Sequence, residues 1–469
     1  MIRALIAALL TLAATALPAA AQTRDPLEVK IADNVFLVPD KNAKRISGWL
    51  IVRAGCADEF NGDCRGIAHY LEHLLFINRD ADGKSKVVMF PGGSGNGWTN
   101  AITTGYVQNF PSNPATDAAN IDKLVAYFAN LLVDVRADKD QADRERNVVL
   151  QEYNQRAGSD AYARFAITRN LALLPGDSLG QRVIGSPEAI KTFDPEDAKA
   201  FHKTWYVKSN TVLVLHGPMT AETIAPLVEK YFAPLPAGKV PAHVWHTPRT
   251  FKTETVTLTE SDAEARQTGV YYDRVIAYDE LPTLLERRAF TAARNNVSAY
   301  FASRLAGSPM DILIERDGLI TQGGLSIGKV RDGLMRVSFW GVPAAGVAPE
   351  KIVETVKAQL AAYAERGLPA DAITRIKTRS RIGRDLLREE PERYANALMG
   401  WFAAHNSHAY WQEAQGYAAR VGPNEVQAVL AVLTKPGREV IGIMTPKAKG
   451  AAGDVTAAPG AAAAPAPKE

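Results

Sequence analysis

Two histidines stand four positions apart in the segment GIAHYLEHLLF (residues 66–76), and Glu72 immediately precedes the second one. On a helix, His69 and His73 lie on one face, one turn apart, so both imidazoles can reach the same ion. Neutral imidazole is a good zinc ligand, and a carboxylate bordering that face can take a proton from a water acidified by the metal. The order H-x-x-E-H is the inverted form of a zinc-protease helix motif. The pattern favours a metal site over its alternative, two core histidines beside a solvated acid.

A catalytic zinc also needs a third protein ligand, and the segment ADRERNVVLQEYNQR (residues 142–156) offers two candidates. Glu145 and Glu152 are seven positions apart, which puts them two helical turns apart on nearly the same stripe. The apolar residues 148–150 indicate that part of this helix is buried, whereas most of its charges suit a solvated face. Spacing alone does not choose between the two carboxylates.

Length and composition limit the class of protein. The chain has 469 residues, which predicts two domains of about 200 residues each. Apolar residues make up 46% and charged residues 22%, as in ordinary globular proteins. The net charge of +3 is spread along the chain without a basic stripe, so a nucleic-acid partner is not expected.

The N-terminus has the layout of a secretory signal. Arg3 is followed by an apolar run to Leu17 and by the small residues 19–21, which predicts a signal peptide over residues 1–21 and export to a bacterial periplasm. The alternative is an uncleaved anchor, but the run is short for a bilayer span. After cleavage no membrane association is expected. In an oxidising compartment, Cys56 and Cys64 are expected to form a disulfide rather than two free thiols.

The rest of the chain divides into two similar blocks, each mixing strands and helices. We predict an N-terminal zinc-binding domain at 26–232, a proline-rich linker at 233–250, a C-terminal peptidase-like domain at 251–447 and a disordered Ala/Pro tail at 448–469. The first block ends in the strand-like VLVLHGP and the second in VIGIMTP, a faint internal repeat. Residues 139–172 read as one helical stretch.

The fold class is therefore α+β, with two structurally similar domains. Each domain should contain a mixed or antiparallel sheet with helices packed on one side. Together the two should form half of a clam-shell.

Several segments resemble the pitrilysin-like (inverzincin) zinc metallopeptidases, the group of insulin-degrading enzyme, mitochondrial processing peptidase and their half-size bacterial periplasmic relatives. These segments are GIAHYLEHLLF with ERNVVLQE, RAGCADEFNGDCRG before the zinc helix, NGWTNAITTGYVQNFP, and FHKTWYVKSNTVLVLHGPM. The resemblance covers roughly residues 28–447 and is strongest in the first half. It implies one zinc ion per chain, a peptide substrate and a dimeric assembly.

The resemblance also assigns roles to residues. It implies that His69, His73 and Glu152 are the zinc ligands and that Glu72 is the general base. Glu145 matches the upstream helical carboxylate that supports the site. Asn96 matches the asparagine of the strand that lines the site and pairs with substrate backbone, and the following Gly97 departs from the family's usual alanine.

The second half departs further from the family pattern. Relatives often carry an Arg and a Tyr that contact the substrate near the scissile carbonyl, in a segment matched here by IERDGLITQGG. Glu315 stands at the Arg position, Arg316 comes one place late, and Thr321 replaces the Tyr. Some small bacterial members work as pairs in which one subunit carries zinc and the other the Arg/Tyr pair. We therefore expect either a homodimer or a heterodimer with a related subunit.

The expected function is an exported zinc-dependent endopeptidase that hydrolyses peptides or unfolded segments. One alternative is a non-catalytic scaffold subunit of a family complex, and another is a peptidase dedicated to one small peptide. Two further histidine pairs, HVWH (His243, His246) and HNSH (His405, His408), suit surface or packing roles better than a metal site.

Overall fold

The computed structural model describes residues 26–244, 252–369, 371–405 and 407–447. The predicted signal peptide (1–21), the end of the predicted linker (245–250) and the predicted tail (448–469) lie outside these ranges. The described part of the linker, 233–244, contains no helix or strand. None of the helices in the described ranges combines the length and apolarity that crossing a bilayer would need.

The first sheet has six strands in the order β1-β2-β6-β3-β5-β4. In chain order they are β1 (Val29–Ala32), β2 (Val35–Pro39), β3 (Arg45–Val52), β4 (Ser94–Thr99), β5 (Thr104–Pro111) and β6 (Thr211–Gly217). Strand β6 runs parallel to β2 and antiparallel to β3, and the other neighbours are antiparallel. Strand β4 is the outermost strand on its side of the sheet.

The second sheet has five strands in the order β7-β11-β8-β10-β9. They are β7 (Thr255–Asp262), β8 (Gly269–Ala277), β9 (Ile320–Arg331), β10 (Leu334–Pro343) and β11 (Gly437–Pro446). The last strand, β11, lies between β7 and β8, parallel to β7 and antiparallel to β8, as β6 lies between β2 and β3 in the first sheet. The strands that end the two sequence blocks thus have equivalent neighbours in the two sheets, and the predicted α+β class with two similar halves is confirmed.

Fourteen α-helices accompany the sheets in the described ranges. In the first half they are α1 (Ile67–Phe76), α2 (Asp117–Asn130), α3 (Lys139–Ser159), α4 (Ala161–Leu173), α5 (Pro187–Lys191), α6 (Pro195–Trp205) and α7 (Ala221–Phe232). In the second half they are α8 (Leu284–Ala302), α9 (Pro309–Asp311), α10 (Pro349–Arg366), α11 (Ala372–Arg388), α12 (Pro391–His405), α13 (His408–Arg420) and α14 (Pro423–Val432). A π-helical turn, Ile312–Arg316, follows α9.

The single helix predicted over 139–172 is wrong, because the structure has two helices, α3 and α4, that meet at Asp160. That residue is extended, with φ −148° and ψ 102°, and its carboxylate accepts hydrogen bonds from the backbone N–H groups of Tyr162 and Ala163. An Asp side chain offers the backbone this alternative to a helical hydrogen bond, which stops α3 and caps α4.

Each sheet has a main apolar core on one face, built with helices of its own half. The opposite face receives a helix from the other half, which the sequence did not predict. Tyr394, Leu398 and Phe402 of α12 pack on the first sheet, and Phe165 and Leu173 of α4 pack on the second. The two halves therefore exchange one helix each across the interface between them.

Candidate metal centre

Helix α1 starts at a sharp turn whose conformation requires glycine. Gly66 has φ +103°, and a Cβ at this position would lie 2.5 Å from the carbonyl oxygen of Ile184. The side chain of Glu59 is buried and accepts hydrogen bonds from the backbone N–H groups of Arg65, Gly66 and Ala68 at 2.7, 2.9 and 2.8 Å. These donors have no partner inside the helix, so Glu59 satisfies them and fixes the start of α1.

The predicted disulfide between Cys56 and Cys64 is present, with the two Cα atoms 4.6 Å apart. It closes the loop that carries Glu59. Burial raises the pKa of Glu59 to about 7, and the backbone hydrogen bonds oppose that rise. The covalent loop and the buried carboxylate together hold the N-terminal end of the histidine helix.

The side chains of His69, His73 and Glu152 meet at one point. The Nε2 atoms of His69 and His73 lie 3.5 and 3.3 Å from the same carboxylate oxygen of Glu152 on α3. Ligand atoms at 2.0–2.1 Å from a tetrahedral zinc ion are themselves ~3.3 Å apart, so the two distances to Glu152 fit a common zinc ion. Among the described residues, these side chains form the one group of three or more His, Cys, Asp or Glu residues whose ligand atoms lie close enough together to share a metal.

The other candidate carboxylate of α3 contacts the opposite side of the His73 ring. An Oε2 atom of Glu145 lies 3.2 Å from Nδ1 of His73. A carboxylate only accepts hydrogen bonds, so Nδ1 carries a proton in this contact, which makes Nε2 the nitrogen available to a metal. The structure thus separates the two carboxylates that spacing alone left equivalent.

The charges around the histidines also favour a cation. Burial lowers the pKa of His73, but the hydrogen bonds to Glu145 and Glu152 raise it by more than burial lowers it. The pKa of His73 is therefore raised to about 9 in the metal-free chain. The carboxylate of Glu72 lies close by as well. Three carboxylates around two imidazoles form a site that either binds protons or exchanges them for a metal ion.

Glu72 is buried and faces strand β4. The hydroxyl of Thr99 donates a hydrogen bond of 2.6 Å to its Oε2 atom. At Gly97, a Cβ would lie only 2.6 Å from Oε1 of Glu72 and 2.9 Å from the ring of Phe76. The departure from the family's usual alanine therefore has a steric reason in this chain, and Thr99 is a contact that sequence reasoning missed.

Asn96 lies on β4, exposed and paired in register with Val107. Side chains alternate along a strand, and Gly97 and Thr99 occupy the face towards Glu72. The side chain of Asn96 therefore points to the other face, as does Trp98, which packs beside α12. The structure brings the strand to Glu72 through Gly97 and Thr99, and its outer edge pairs with no described strand.

The segment matched to the relatives' Arg and Tyr makes contacts with other residues of the second half. Arg304 forms an ion pair of 2.6 Å with Glu315, and Arg316 pairs with its neighbour Asp317 at 2.8 Å. The hydroxyl of Thr321 lies 3.4 Å from the carbonyl oxygen of Val342. None of these contacts involves Glu72 or the two histidines of α1.

The remaining histidine pairs are separate from this centre. His243 pairs with Asp58 and stacks on Trp205, with ring centroids 5.1 Å apart, whereas His246 lies outside the described residues. The ring of His405 packs against Trp401 at an angle of 44°, and Nε2 of His408 lies 2.7 Å from a carboxylate oxygen of Glu28. These contacts fit the packing and surface roles that the sequence favours.

Comparison with known proteins identifies the family. Residues 34–170 match the family model described as insulinase (peptidase family M16), and residues 192–380 match that of the peptidase M16 inactive domain. The chain is 26% identical over 212 residues to the probable zinc protease PqqL of Escherichia coli, which is 43% of this chain and 22% of that protein. It is 28% identical over 193 residues to the zinc protease PqqE of Helicobacter pylori, covering 40% and 41% of the two chains. The matched parts are thus less than half of either relative.

Solved structures share the fold over most of the chain. A protease from Helicobacter pylori superimposes with a TM-score of 0.71 at 18% identity, over 88% of this chain and 97% of that one. The periplasmic protease PqqL from Escherichia coli gives a TM-score of 0.70 at 19% identity, over 92% of this chain and 48% of that one. With both family models matched in order and the two-sheet fold shared, the chain belongs to the M16 peptidase family.

Proposed function

We propose that this protein is a zinc-dependent endopeptidase that hydrolyses peptides or unfolded polypeptide segments. The observation that carries the proposal is the convergence of His69, His73 and Glu152 on one point beside the buried carboxylate of Glu72. The naming of relatives such as PqqL and PqqE as zinc proteases supports the same reading.

In this proposal His69, His73 and Glu152 hold the metal, and Glu145 orients His73 through its Nδ1–H. A zinc ion held there would supply a Lewis acid that polarises the scissile carbonyl and acidifies a water. Glu72 takes the proton from the attacking water and passes it to the leaving amine. Thr99 keeps the Glu72 carboxylate in one orientation through the hydrogen bond to Oε2.

Substrate binding is assigned to the free edge of β4. An extended peptide can add to this edge through main-chain hydrogen bonds, which read little of its sequence. Asn96 belongs to this strand and remains a candidate substrate contact. Its side chain would act from the sheet face opposite Glu72, next to Trp98.

The compartment and the assembly are part of the same proposal. A cleaved signal peptide at residues 1–21 would deliver the chain to the periplasm, the compartment named for the PqqL structure. The missing Arg/Tyr pair at 315–321 favours a heterodimer in which a related subunit supplies those side chains. Native purification of a fully active homodimer would contradict that arrangement.

A non-catalytic scaffold is the second candidate, but a scaffold has no physical need for the base and all three ligands at once. A peptidase dedicated to a single small peptide would use the same residues, so it differs from the main proposal only in substrate range.

Metal analysis combined with peptide cleavage tests the proposal. Wild type and Glu72→Gln should each bind about one zinc per chain, and cleavage in the variant should fall by about 10²–10⁴-fold. A matched control is Glu229→Gln, which changes a carboxylate on α7 outside the centre. A wild type without metal, or a variant that cleaves equally well, would refute the mechanism.

A further inference from the structure

A cleft lined by both charged and apolar side chains lies next to the proposed centre, where the turn between β4 and β5 faces strands β9 and β10. Two adjoining cavities of about 340 and 530 Å³ make up this cleft. They share Ser326, Arg336 and Ser338 as lining residues, and the larger one is also bordered by the turn at residues 100–102. Since Thr99 directly precedes that turn and contacts Glu72, the cleft begins where the β4 edge ends.

Cations outnumber carboxylates among the lining side chains. Arg169, Lys329 and Arg336 line the cleft, against a single carboxylate, Asp273. Asp273 is buried and already accepts from both arginines and from the hydroxyl of Ser338. Lys329 pairs with Asp332 at 2.8 Å outside the cleft. The cleft therefore retains a net positive charge of about one after these pairs are counted.

The hydrogen bonds of Arg336 within the protein use only part of the N–H groups of its guanidinium. Its Nε atom donates to Ser338, and its Nη1 and Nη2 atoms donate one bond each to Asn170 and Asp273, at 2.8 and 2.7 Å. A guanidinium carries five N–H groups, so one N–H on each terminal nitrogen is left over by these bonds. The side chain is 29% exposed, and such a fork suits a carboxylate.

The path of a bound peptide leads into this cleft. A strand added to the β4 edge and continuing past Thr99 advances about 3.3 Å per residue, so it reaches the turn at residues 100–102 within a few residues of Glu72. Beyond the turn, the exposed Ser326 and the guanidinium of Arg336 form the opposite wall.

We propose that this cleft is a carboxylate-binding subsite, which holds either the C-terminal carboxylate or an acidic side chain of the peptide a few residues from the scissile bond. The inference rests on the proposed peptidase function for the path of the substrate. The alternative is a purely structural role, in which Arg336 connects α4 to the second sheet through its hydrogen bonds to Asn170 and Asp273.

Binding, rather than cleavage, separates the two readings. The binding of fluorescein-labelled decapeptides to the full chain carrying Glu72→Gln would be measured by anisotropy, with zinc present in the buffer. One peptide has a free C-terminal acid and only Gln, a second has a C-terminal amide with Glu in its last four positions, and a third has the amide and only Gln. The subsite predicts about tenfold tighter binding of the first or the second than of the third, and whichever binds tighter identifies the source of the carboxylate.

Two variants then test the residues. Arg336→Gln removes the cation, and Ser326→Asp adds a repelling charge at an exposed position without removing an ion pair. Either should abolish the tenfold difference, whereas Arg304→Gln, an exposed arginine outside the cleft, should keep it. Equal binding of all three peptides, or a difference that survives both cleft variants, would overturn the proposal. If wild type neither binds zinc nor cleaves, while the binding difference persists, the proposed function fails and the subsite stands.

Discussion

Glu145 contacts Nδ1 of His73 at 3.2 Å, while Nε2 of the same ring faces Glu152 at 3.3 Å. The two carboxylates of α3 thus contact the two nitrogen atoms of one imidazole ring. Because a histidine that ligates through Nε2 is oriented by the acceptor on Nδ1, the contact with Glu145 fixes both the tautomer and the ring plane.

Replacing Glu145 should weaken zinc binding without removing a ligand. Glu145→Ala is expected to lower zinc affinity about 10–100-fold, and Glu145→Gln, which keeps an acceptor, should lower it less. Competition with a chromogenic chelator measures the affinity. Asp140→Asn, an exposed change on the same helix, serves as the control, and an unchanged affinity in Glu145→Ala would contradict the assigned role.

Thr99→Val removes the hydroxyl that holds Glu72 but keeps the shape of the side chain. A hydrogen bond to a charged group contributes about 1.5–3 kcal/mol, so kcat should fall about 10–100-fold while zinc content stays at about one per chain. Thr99→Ser retains the donor and should keep most of the activity. Equal loss in Thr99→Ser and Thr99→Val would show that the hydroxyl is not what matters.

The disulfide should stabilise the chain and, through Glu59, the start of α1. The bridged cysteines are eight positions apart, and closing so small a loop contributes about 2–3 kcal/mol in the chain-entropy account. The double change Cys56→Ser, Cys64→Ser should lower the melting temperature, and dithiothreitol should have the same effect on wild type only. A variant as stable as wild type would mean that the bridge leaves the free energy of unfolding unchanged.

Acid should destabilise the fold through His405. Burial, with Lys329 and Arg294 nearby, lowers the pKa of His405 from 6.5 to about 4. The unfolded chain therefore takes up this proton first, so the stability contribution is complete above about pH 6.5 and is lost as the pH falls towards 4. For this partly exposed ring the loss should be on the order of 1–2 kcal/mol.

Melting temperatures between pH 4 and pH 7 check this expectation. His405→Gln cannot titrate, so its melting temperature should fall less with acid than that of wild type. Parallel curves for the two proteins would show that His405 is not responsible.

The sequence predicts what depends on short spacing and misses what depends on tertiary contacts. His69, Glu72 and His73 lie within one helical turn, so their common face follows from helix geometry alone. Spacing leaves Glu145 and Glu152 equivalent; the family resemblance points to Glu152, and the physical reason lies in how α3 crosses α1. Thr99 reaches Glu72 from 27 positions away along the chain, through a strand pairing that no local pattern encodes.

The exchange of helices escaped prediction for a related reason. The apolar residues Phe165 and Leu173 indicate that α4 has a buried face, but apolar patterning does not specify which sheet covers it. The break at Asp160 was hidden as well, since an Asp within a helical pattern is ordinary until its carboxylate is seen capping the next helix.

Asp160 connects the helix that carries Glu152 to a helix that packs on the second sheet. Helix α3 carries Glu152, and one extended residue later α4 is fastened to the second sheet by Arg169 and Phe165. His69 and His73 belong to a helix packed on the first sheet, and Ala142 and Val149 of α3 join the same apolar core. The three proposed ligands therefore sit in one packed unit, and Asp160 marks the point at which the chain leaves that unit for the second sheet.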